Sequence, residues 1–177
     1  MQIVHLLLDR ILTAARTPVT TAGWLKTTGW VGLYGAVALP FGWLTQSLQW
    51  QPLSEGLQIL RVAVVAFFLP ALSEELLFRV CWLPRQGATR SQLWFWGGTG
   101  LALYVLAHPL TALLVLPGHR QTFFDPNFLV LTALLGVACT GVYLQTRSLW
   151  PPVIIHWLVV AVWLVGLGGY DRLHAAL

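Results

Sequence analysis

The chain alternates long apolar runs with short polar breaks, and five of these runs are long enough to cross a membrane. They lie at about 28–46, 58–83, 94–116, 127–146 and 150–169. An α-helix needs about 20 predominantly apolar residues to span the hydrocarbon core of a bilayer. The pattern therefore predicts an all-α membrane bundle of about five transmembrane helices.

Prolines mark several of the breaks and two positions inside the runs. Pro84 closes the second run, and Pro151 and Pro152 open the fifth, where the first turn of a helix tolerates proline. Pro70 and Pro109 lie inside predicted helices, and each leaves a backbone carbonyl without its usual donor. In a membrane that carbonyl must be satisfied by protein or water, so both prolines indicate a polar cavity.

A shorter amphipathic segment precedes the first run. Its polar residues recur at helical spacing: Gln2, His5, Asp9, Thr13 and Arg16. Its apolar residues lie elsewhere around the same helix: Ile3, Leu7, Ile11 and Ala14. This pattern predicts an interfacial amphipathic helix at the amino terminus, which Pro18 ends.

The composition is that of a membrane protein. Hydrophobic residues make up 57% of the chain and charged residues 9%, whereas soluble domains carry about 25% charged residues. We expect a single membrane domain over residues 1–177, in contact with the lipid bilayer. Nucleic acid is not an expected partner, because no soluble segment carries a basic stripe. Cys81 and Cys139 lie in apolar runs and are interpreted as small packing residues.

The basic residues are distributed unevenly between the two sets of connecting segments. One set carries Arg10, Arg16, Lys26, Arg85, Arg90 and Arg147. The other set, with its boundary residues, carries Arg61, Arg120 and Arg172. The positive-inside rule then predicts a cytoplasmic amino terminus. We expect an integral protein of a bacterial inner membrane.

Two carboxylates and an arginine interrupt the second apolar run, at Glu74, Glu75 and Arg79. A charge near the bilayer centre costs roughly 2.5–3.5 kcal/mol even on insertion scales, so these residues need a role. Glu75 and Arg79 stand one helical turn apart and can form an ion pair, whereas Glu74 points about 100° away. Desolvation would make the unpaired Glu74 a usable general base near neutral pH. The alternative is an Arg–Glu pair that only fixes helix packing.

Two histidines lie in other predicted helices, His108 in the third and His156 in the fifth. A single histidine in an apolar helix usually makes an interhelical hydrogen bond. Two histidines and two carboxylates together form a set of ionisable residues inside the membrane. Such residues usually belong to a functional site. With the third helix counted from Gly98, all of them lie about 8–15 Å from one membrane boundary. They could therefore share one site.

The order of these residues resembles the three motifs of the CPBP intramembrane proteases. These are the CAAX-processing and bacteriocin-processing, or abortive-infection, membrane peptidases. The motifs are Glu74-Glu75-x-x-x-Arg79, then Tyr104-x-x-x-His108, then His156 after Ser148-Leu149-Trp150-Pro151. The resemblance covers residues 57–168, which we take as the catalytic core.

The resemblance implies an endopeptidase that hydrolyses a peptide bond of a membrane-associated protein or peptide, with CAAX-type substrates as candidates. Glu74 would then activate water as the general base, assisted by His108. Glu75 would be a supporting carboxylate held by Arg79, and His156 would help to stabilise the oxyanion.

The chain departs from the family pattern at two positions. Tyr104 stands where phenylalanine is common, which adds a hydroxyl. Val160 stands four residues after His156, where the third motif usually ends in asparagine or aspartate. If that residue normally supports the oxyanion, its loss would cost about 10²–10³ in rate. The second hypothesis is therefore a non-catalytic membrane scaffold or partner-binding member with a degraded site.

A metal site and a transporter are two further alternatives. Two glutamates and two histidines could bind Zn²⁺, which takes carboxylate and imidazole ligands. The chain has no HExxH motif, and a metal site gives no reason for Arg79 beside its ligands. We therefore expect hydrolysis without a cofactor, with Zn²⁺ as the less favoured alternative. A transporter or proton relay is disfavoured because no inverted repeat is visible.

Overall fold

The computed structural model of the chain describes residues 2–174, and within that range it is a bundle of helices. The helices are α1 (Gln2–Arg16), α2 (Thr21–Leu44), α3 (Gly56–Cys81), α4 (Arg90–Leu114), α5 (Arg120–Phe123), α6 (Pro126–Thr146), α7 (Trp150–Gly166) and α8 (Gly169–His174). A 3-10 turn, Pro117–His119, leads into α5. The prediction of an all-α membrane bundle is confirmed.

Each of the five apolar runs forms a helix, but α2 and α4 begin earlier than their runs. The side chain of Thr20 accepts a hydrogen bond from the N–H of Gly23 at the start of α2. Thr89 and Gln92 form a capping box at the start of α4. Such side chains satisfy N–H groups that are free in the first turn. Polar caps outside the apolar runs therefore decide where these two helices begin.

The first turns of α4 extend past the end of α3. The indole of Trp82, which directly follows α3, donates a hydrogen bond to the carbonyl of Trp96 at 3.2 Å. A Cβ on Gly100 would lie 2.7 Å from that indole, so α4 passes close to Trp82 at this level. The end of α3 therefore lies beside residues 96–100 of α4, and α4 itself begins at Arg90.

Within residues 2–174, three helices are long and apolar enough to cross a membrane, namely α3, α4 and α6. The apolar helix α7 is shorter, with 17 residues. Helix α2 has 24 residues, and glycine and threonine are frequent in it. The fold is that of an integral membrane protein.

Helix α6 lies at the centre of the bundle, against α2, α4 and α7, and α7 also packs against α3. Small side chains make this position possible, because they let neighbouring helices approach closely. A Cβ on Gly141 would lie 2.3 Å from the indole of Trp30 on α2. A Cβ on Gly136 would lie 2.6 Å from Leu101 on α4.

One end of the bundle, which we call the basic end, carries α1, the end of α3 and the start of α4. Arg10 of α1 donates hydrogen bonds to the carbonyls of Val80, at 2.9 Å, and Leu83. Arg85 pairs with Asp9 of α1 at 2.6 Å. The first helix is therefore attached to the end of α3 by hydrogen bonds to carbonyls that lack helical partners.

At the opposite end, α8 folds back across the loops. Arg172 donates a hydrogen bond to the carbonyl of Ser47 at 2.8 Å and pairs with Asp125 at 3.2 Å. Gly168 has φ of +80°, a conformation that glycine adopts without steric cost, and it separates α7 from α8. The predicted fifth run, 150–169, thus forms a helix that ends at Gly166, and the chain reverses its direction in the last residues of the run.

Candidate active site

Helix α3 changes its winding at the two carboxylates. Turns of π-helix, Phe67–Leu72 and Leu76–Cys81, flank the short α-helical turn Ser73–Glu75. Pro70 lies in the first π segment, where its missing N–H removes one regular helical hydrogen bond. π-helical turns are frequent at functional sites. Glu74 and Glu75 therefore lie where the helix departs from regular geometry.

Glu75 is buried and paired with Arg79, one turn later. Oε1 of Glu75 lies 3.2 Å from Nη1 of Arg79, and the two side chains are 0% and 1% exposed. Arg79 also donates a hydrogen bond to the carbonyl of Gly136 at 3.2 Å, and its guanidinium lies 4.4 Å from the ring centroid of Tyr104. A buried ion pair is tolerated only when such contacts offset the lost hydration. The predicted pair therefore forms, and α6 and α4 hold it.

His156 lies between the two glutamates. Its Nδ1 is 2.7 Å from Oε1 of Glu75, and its Nε2 is 3.8 Å from Oε2 of Glu74. A carboxylate that is ion-paired with Arg79 accepts hydrogen bonds, so Nδ1 carries the proton in this contact. In the neutral imidazole, Nε2 is then unprotonated and presents its lone pair toward Glu74. Glu75 thus sets both the orientation and the tautomer of His156.

Glu74 lines a cavity of about 640 Å³ inside the bundle. Its side chain is 28% exposed, and among residues 2–174 its Oε2 atom has no hydrogen-bond partner. Tyr104, His108 and His156 line the same cavity. The remaining wall is mostly apolar and includes Val31, Leu39, Val65, Leu69, Phe128, Leu131 and Leu164. The open carboxylate therefore faces an apolar space with a few polar groups.

His108 enters this cavity from α4. Its Nδ1 lies 3.1 Å from the carbonyl oxygen of Tyr104, one turn earlier in the helix. A carbonyl only accepts hydrogen bonds, so Nδ1 carries the proton and Nε2 of the neutral ring has a lone pair. Phe123 and Phe128 pack against the ring, with centroid distances of 5.3 and 5.5 Å. The backbone and these two aromatic rings fix the orientation of His108.

Four of the five side chains that the sequence selected are in contact, namely Glu74, Glu75, Arg79 and His156, and the fifth, His108, lines the same cavity from α4. Their catalytic roles stay predictions. Val160 also lines the cavity, one turn after His156, so the altered position of the third motif faces the same space.

Helix α6 takes a part in this cluster that the sequence did not predict. Gly136 supplies the carbonyl that binds Arg79. Cys139, interpreted only as a packing residue, is buried, and its Sγ lies 3.6 Å from the carbonyl of Pro152. Gly136 and Cys139 stand three residues apart on one face. That spacing indicates a close helix contact without indicating which side chains fill it.

Glu75, Cys139 and His156 offer potential metal-ligand atoms within 4.8 Å of one another. Their contacts oppose a metal ion, because Arg79 already places a positive charge 3.2 Å from Oε1 of Glu75. Nδ1 of His156 donates its proton to the same oxygen, whereas a metal needs an unprotonated ligand nitrogen. These three residues therefore do not fit a metal centre.

Comparison with known proteins identifies the family. The family model described as type II CAAX prenyl endopeptidase Rce1-like matches residues 56–162, which is more than half of the chain. No curated protein and no solved structure gives a significant match. The matched residues include the three motifs, and the resemblance to the CPBP proteases is confirmed. The chain belongs to the type II CAAX prenyl endopeptidase Rce1-like family, a family of proteases.

Proposed function

We propose that this protein is an intramembrane endopeptidase that uses a water molecule activated by Glu74 to hydrolyse a peptide bond of a membrane-associated, CAAX-type substrate. One observation carries the proposal. Glu74, His108 and His156 come from three helices and line one cavity in an apolar bundle. A scaffold could use the buried Glu75–Arg79 pair for packing, but it has no use for an open carboxylate inside the membrane.

Glu74 is suited to be the general base because its carboxylate lines the cavity, whereas the carboxylate of Glu75 is paired with Arg79. The side chain of Glu74 is 28% exposed, and its Oε2 lies 3.8 Å from Nε2 of His156. A water molecule in the cavity would bind the exposed part of this carboxylate. Because an apolar cavity excludes bulk water, the electrostatic interactions with that one water molecule would be strong.

In the proposed reaction, Glu74 takes a proton from the water molecule while the water oxygen attacks the scissile carbonyl carbon. The electron pair of the carbonyl π bond moves to the oxygen and forms the oxyanion. When the oxyanion collapses, the C–N bond breaks and the proton on Glu74 passes to the leaving amine. One water molecule is consumed, and Glu74 returns to its ionised form.

The histidines have separate roles in this proposal. His108 would orient the water molecule, because its Nε2 can accept a hydrogen bond inside the cavity. His156 in its protonated form would donate from Nε2 to the oxyanion. Glu75 and Arg79 are positioning residues, since they act through His156 and through the helix contacts. We include no metal ion in the mechanism, because Arg79 occupies the place of a cation beside Glu75.

The cavity supports a substrate that carries an apolar chain. Its volume of about 640 Å³ is in the range of pockets that bury a ligand of drug size. Its walls are mostly apolar, and it extends from Glu74 to Arg172 at the opposite end of the bundle. A peptide whose carboxyl-terminal region carries a prenyl group has this chemistry. Prenylated CAAX peptides are therefore the first substrates to test.

The positive-inside rule supports an orientation with the basic end in the cytoplasm. Glu74 precedes the end of α3, at Cys81, by about 10 Å of helix. Cleavage would then take place near the cytoplasmic face of the membrane, which we propose to be a bacterial inner membrane.

The test is a peptidase assay of the purified protein in detergent, with prenylated and unprenylated CAAX peptides and a membrane-peptide library. We expect Glu74→Gln, His108→Ala and His156→Ala each to lower kcat/KM by at least about 10²-fold, the usual contribution of general acid–base groups. Glu55→Gln, at an exposed carboxylate that precedes the first turn of α3, is the matched control and should retain activity. Wild-type turnover that survives Glu74→Gln would contradict the assignment.

The second candidate function is a non-catalytic scaffold or partner-binding protein, and Val160 is the observation that favours it. This reading requires that the wild type cleave none of the substrates. A gain of turnover in Val160→Asn from an inactive wild type would show that the oxyanion site has decayed.

A further inference from the structure

We infer that the hydroxyl group of Tyr104 donates a hydrogen bond to the oxyanion, which makes Tyr104 a further catalytic residue. This inference rests on the proposed peptidase function and concerns one interaction within it. It explains how a cavity that carries valine at position 160 could still stabilise the intermediate.

The cavity needs a neutral hydrogen-bond donor near Glu74. Nδ1 of His108 and Nδ1 of His156 are used by the carbonyl of Tyr104 and by Glu75. In their neutral forms both rings therefore face the cavity with an acceptor nitrogen. The methyl groups of Val160 cannot donate. A donor that is independent of histidine protonation must come from another residue.

Tyr104 lies at the position that such a donor requires. Its side chain is 1% exposed and lines the cavity together with Glu74. The centroid of its ring lies 5.4 Å from that of His108 and 6.0 Å from that of His156. The phenol thus packs against both imidazoles of the proposed reaction.

The ring of Tyr104 is held on two further sides, which fixes where its hydroxyl lies. The guanidinium of Arg79 covers one face at 4.4 Å, and the backbone of Gly136 touches the ring edge, where a Cβ would lie 2.9 Å from Cδ1. Donors that are fixed before the reaction stabilise an oxyanion most, because they need no reorganisation. The positive charge above the ring also polarises the phenol in the direction that strengthens O–H donation.

The polar contacts of Tyr104 within residues 2–174 use its carbonyl oxygen and its ring face. Phenylalanine at this position would keep the ring contacts with Arg79, Gly136 and the two histidines. It would remove only the hydroxyl. Tyr104→Phe is therefore a substitution that separates hydrogen-bond donation from packing.

The experiment compares Tyr104→Phe with the wild type on the peptide that the wild type cleaves. We expect kcat to fall by about 10²–10³-fold, as for the loss of one oxyanion donor, with KM changed by less than about threefold because the donor acts in the transition state. Tyr143→Phe, which removes a hydroxyl from a buried tyrosine of the hydrophobic core, is the matched control. Tyr143→Phe should keep wild-type kcat.

A second substitution tests whether positions 104 and 160 supply the same interaction. Adding Val160→Asn to Tyr104→Phe should recover at least tenfold in kcat, a larger gain than Val160→Asn gives in the wild type. The inference would be overturned if Tyr104→Phe kept kcat within threefold of the wild type, or if Val160→Asn recovered none of the lost kcat.

The same assays distinguish this inference from the proposed function. If Glu74→Gln abolishes activity and Tyr104→Phe leaves it intact, only the role of Tyr104 is refuted. The absence of any Glu74-dependent cleavage refutes the proposed function itself.

Discussion

Glu74 and Glu75 are adjacent in one helix, yet their surroundings are opposite. Glu75 is 0% exposed, pairs with Arg79 at 3.2 Å and accepts a hydrogen bond from His156 at 2.7 Å. Glu74 is 28% exposed and lines the cavity. Within residues 2–174 the Oε2 atom of each glutamate lacks a hydrogen-bond partner, so the two differ in ion pairing and in access to the cavity.

The difference shows how a membrane bundle can carry a reactive charge. A carboxylate is costly in hydrocarbon unless its lone pairs are satisfied. The Glu75–Arg79 pair offsets part of this cost with partners from three helices, and through His156 it also orients a group beside Glu74. The paired side chains Glu75 and Arg79 therefore support the face of α3 on which Glu74 lines the cavity.

The largest expected effect comes from exchanging the two carboxylates for glutamine, one at a time. Glu75→Gln leaves Arg79 buried without its counter-charge and should lower the free energy of unfolding by about 3–5 kcal/mol. Glu74→Gln should change it by no more than about 0.5 kcal/mol while abolishing cleavage. Unfolding in mixed micelles and the peptidase assay measure the two quantities. Equal destabilisation by both substitutions would remove the contrast between the two sites.

A double-mutant cycle sharpens this prediction. Arg79→Met in the Glu75→Gln background should recover part of the lost stability, because it removes the unpaired charge. Additive losses in the double variant would mean that the two side chains do not interact.

Gly136→Ala should have the next largest effect, because it disturbs the support of both sides. The added methyl would lie 2.9 Å from Cδ1 of Tyr104 and 2.6 Å from Cδ1 of Leu101. Overpacking of this kind costs about 1–3 kcal/mol. We expect lower stability together with lower kcat, since Tyr104 would move. Gly35→Ala, where the added methyl would meet no atom within 4 Å, is the control and should keep wild-type stability.

Arg10→Met should have a smaller effect, limited to the basic end. It removes the hydrogen bonds to the carbonyls of Val80 and Leu83. We expect a loss of about 1–2 kcal/mol, the scale of a charge-assisted hydrogen bond at a partly hydrated site. Arg16→Met, at an exposed arginine of the same helix, should cost less than about 0.5 kcal/mol. If both substitutions lower the free energy of unfolding equally, α1 is held by the membrane rather than by its hydrogen bonds to α3.

The smallest expected effect is that of a chelator. Since Arg79 and the proton on Nδ1 of His156 oppose a cation beside Glu75, treatment with 1,10-phenanthroline should change kcat/KM by less than twofold. Loss of activity that added Zn²⁺ restores would show that a metal ion takes part.

The sequence by itself located the helices and the unusual residues. Apolar runs of spanning length are a local property, and charges inside them are conspicuous because the membrane penalises them. The Glu75–Arg79 pair also followed from sequence, since the helical period places residues i and i+4 on one face. The starts of α2 and α4 did not follow from the apolar runs, because capping side chains outside them extend both helices.

The tertiary structure decided which partners the ionisable groups have. The hydrogen bond from His156 to Glu75, the contact of Arg79 with Gly136, and the contact of Tyr104 with His156 all join different helices. They depend on how each helix is rotated and shifted against its neighbours, and on the π-helical turns around Glu74. No periodicity in the chain contains that information, because helical period determines faces and not the distances between helices.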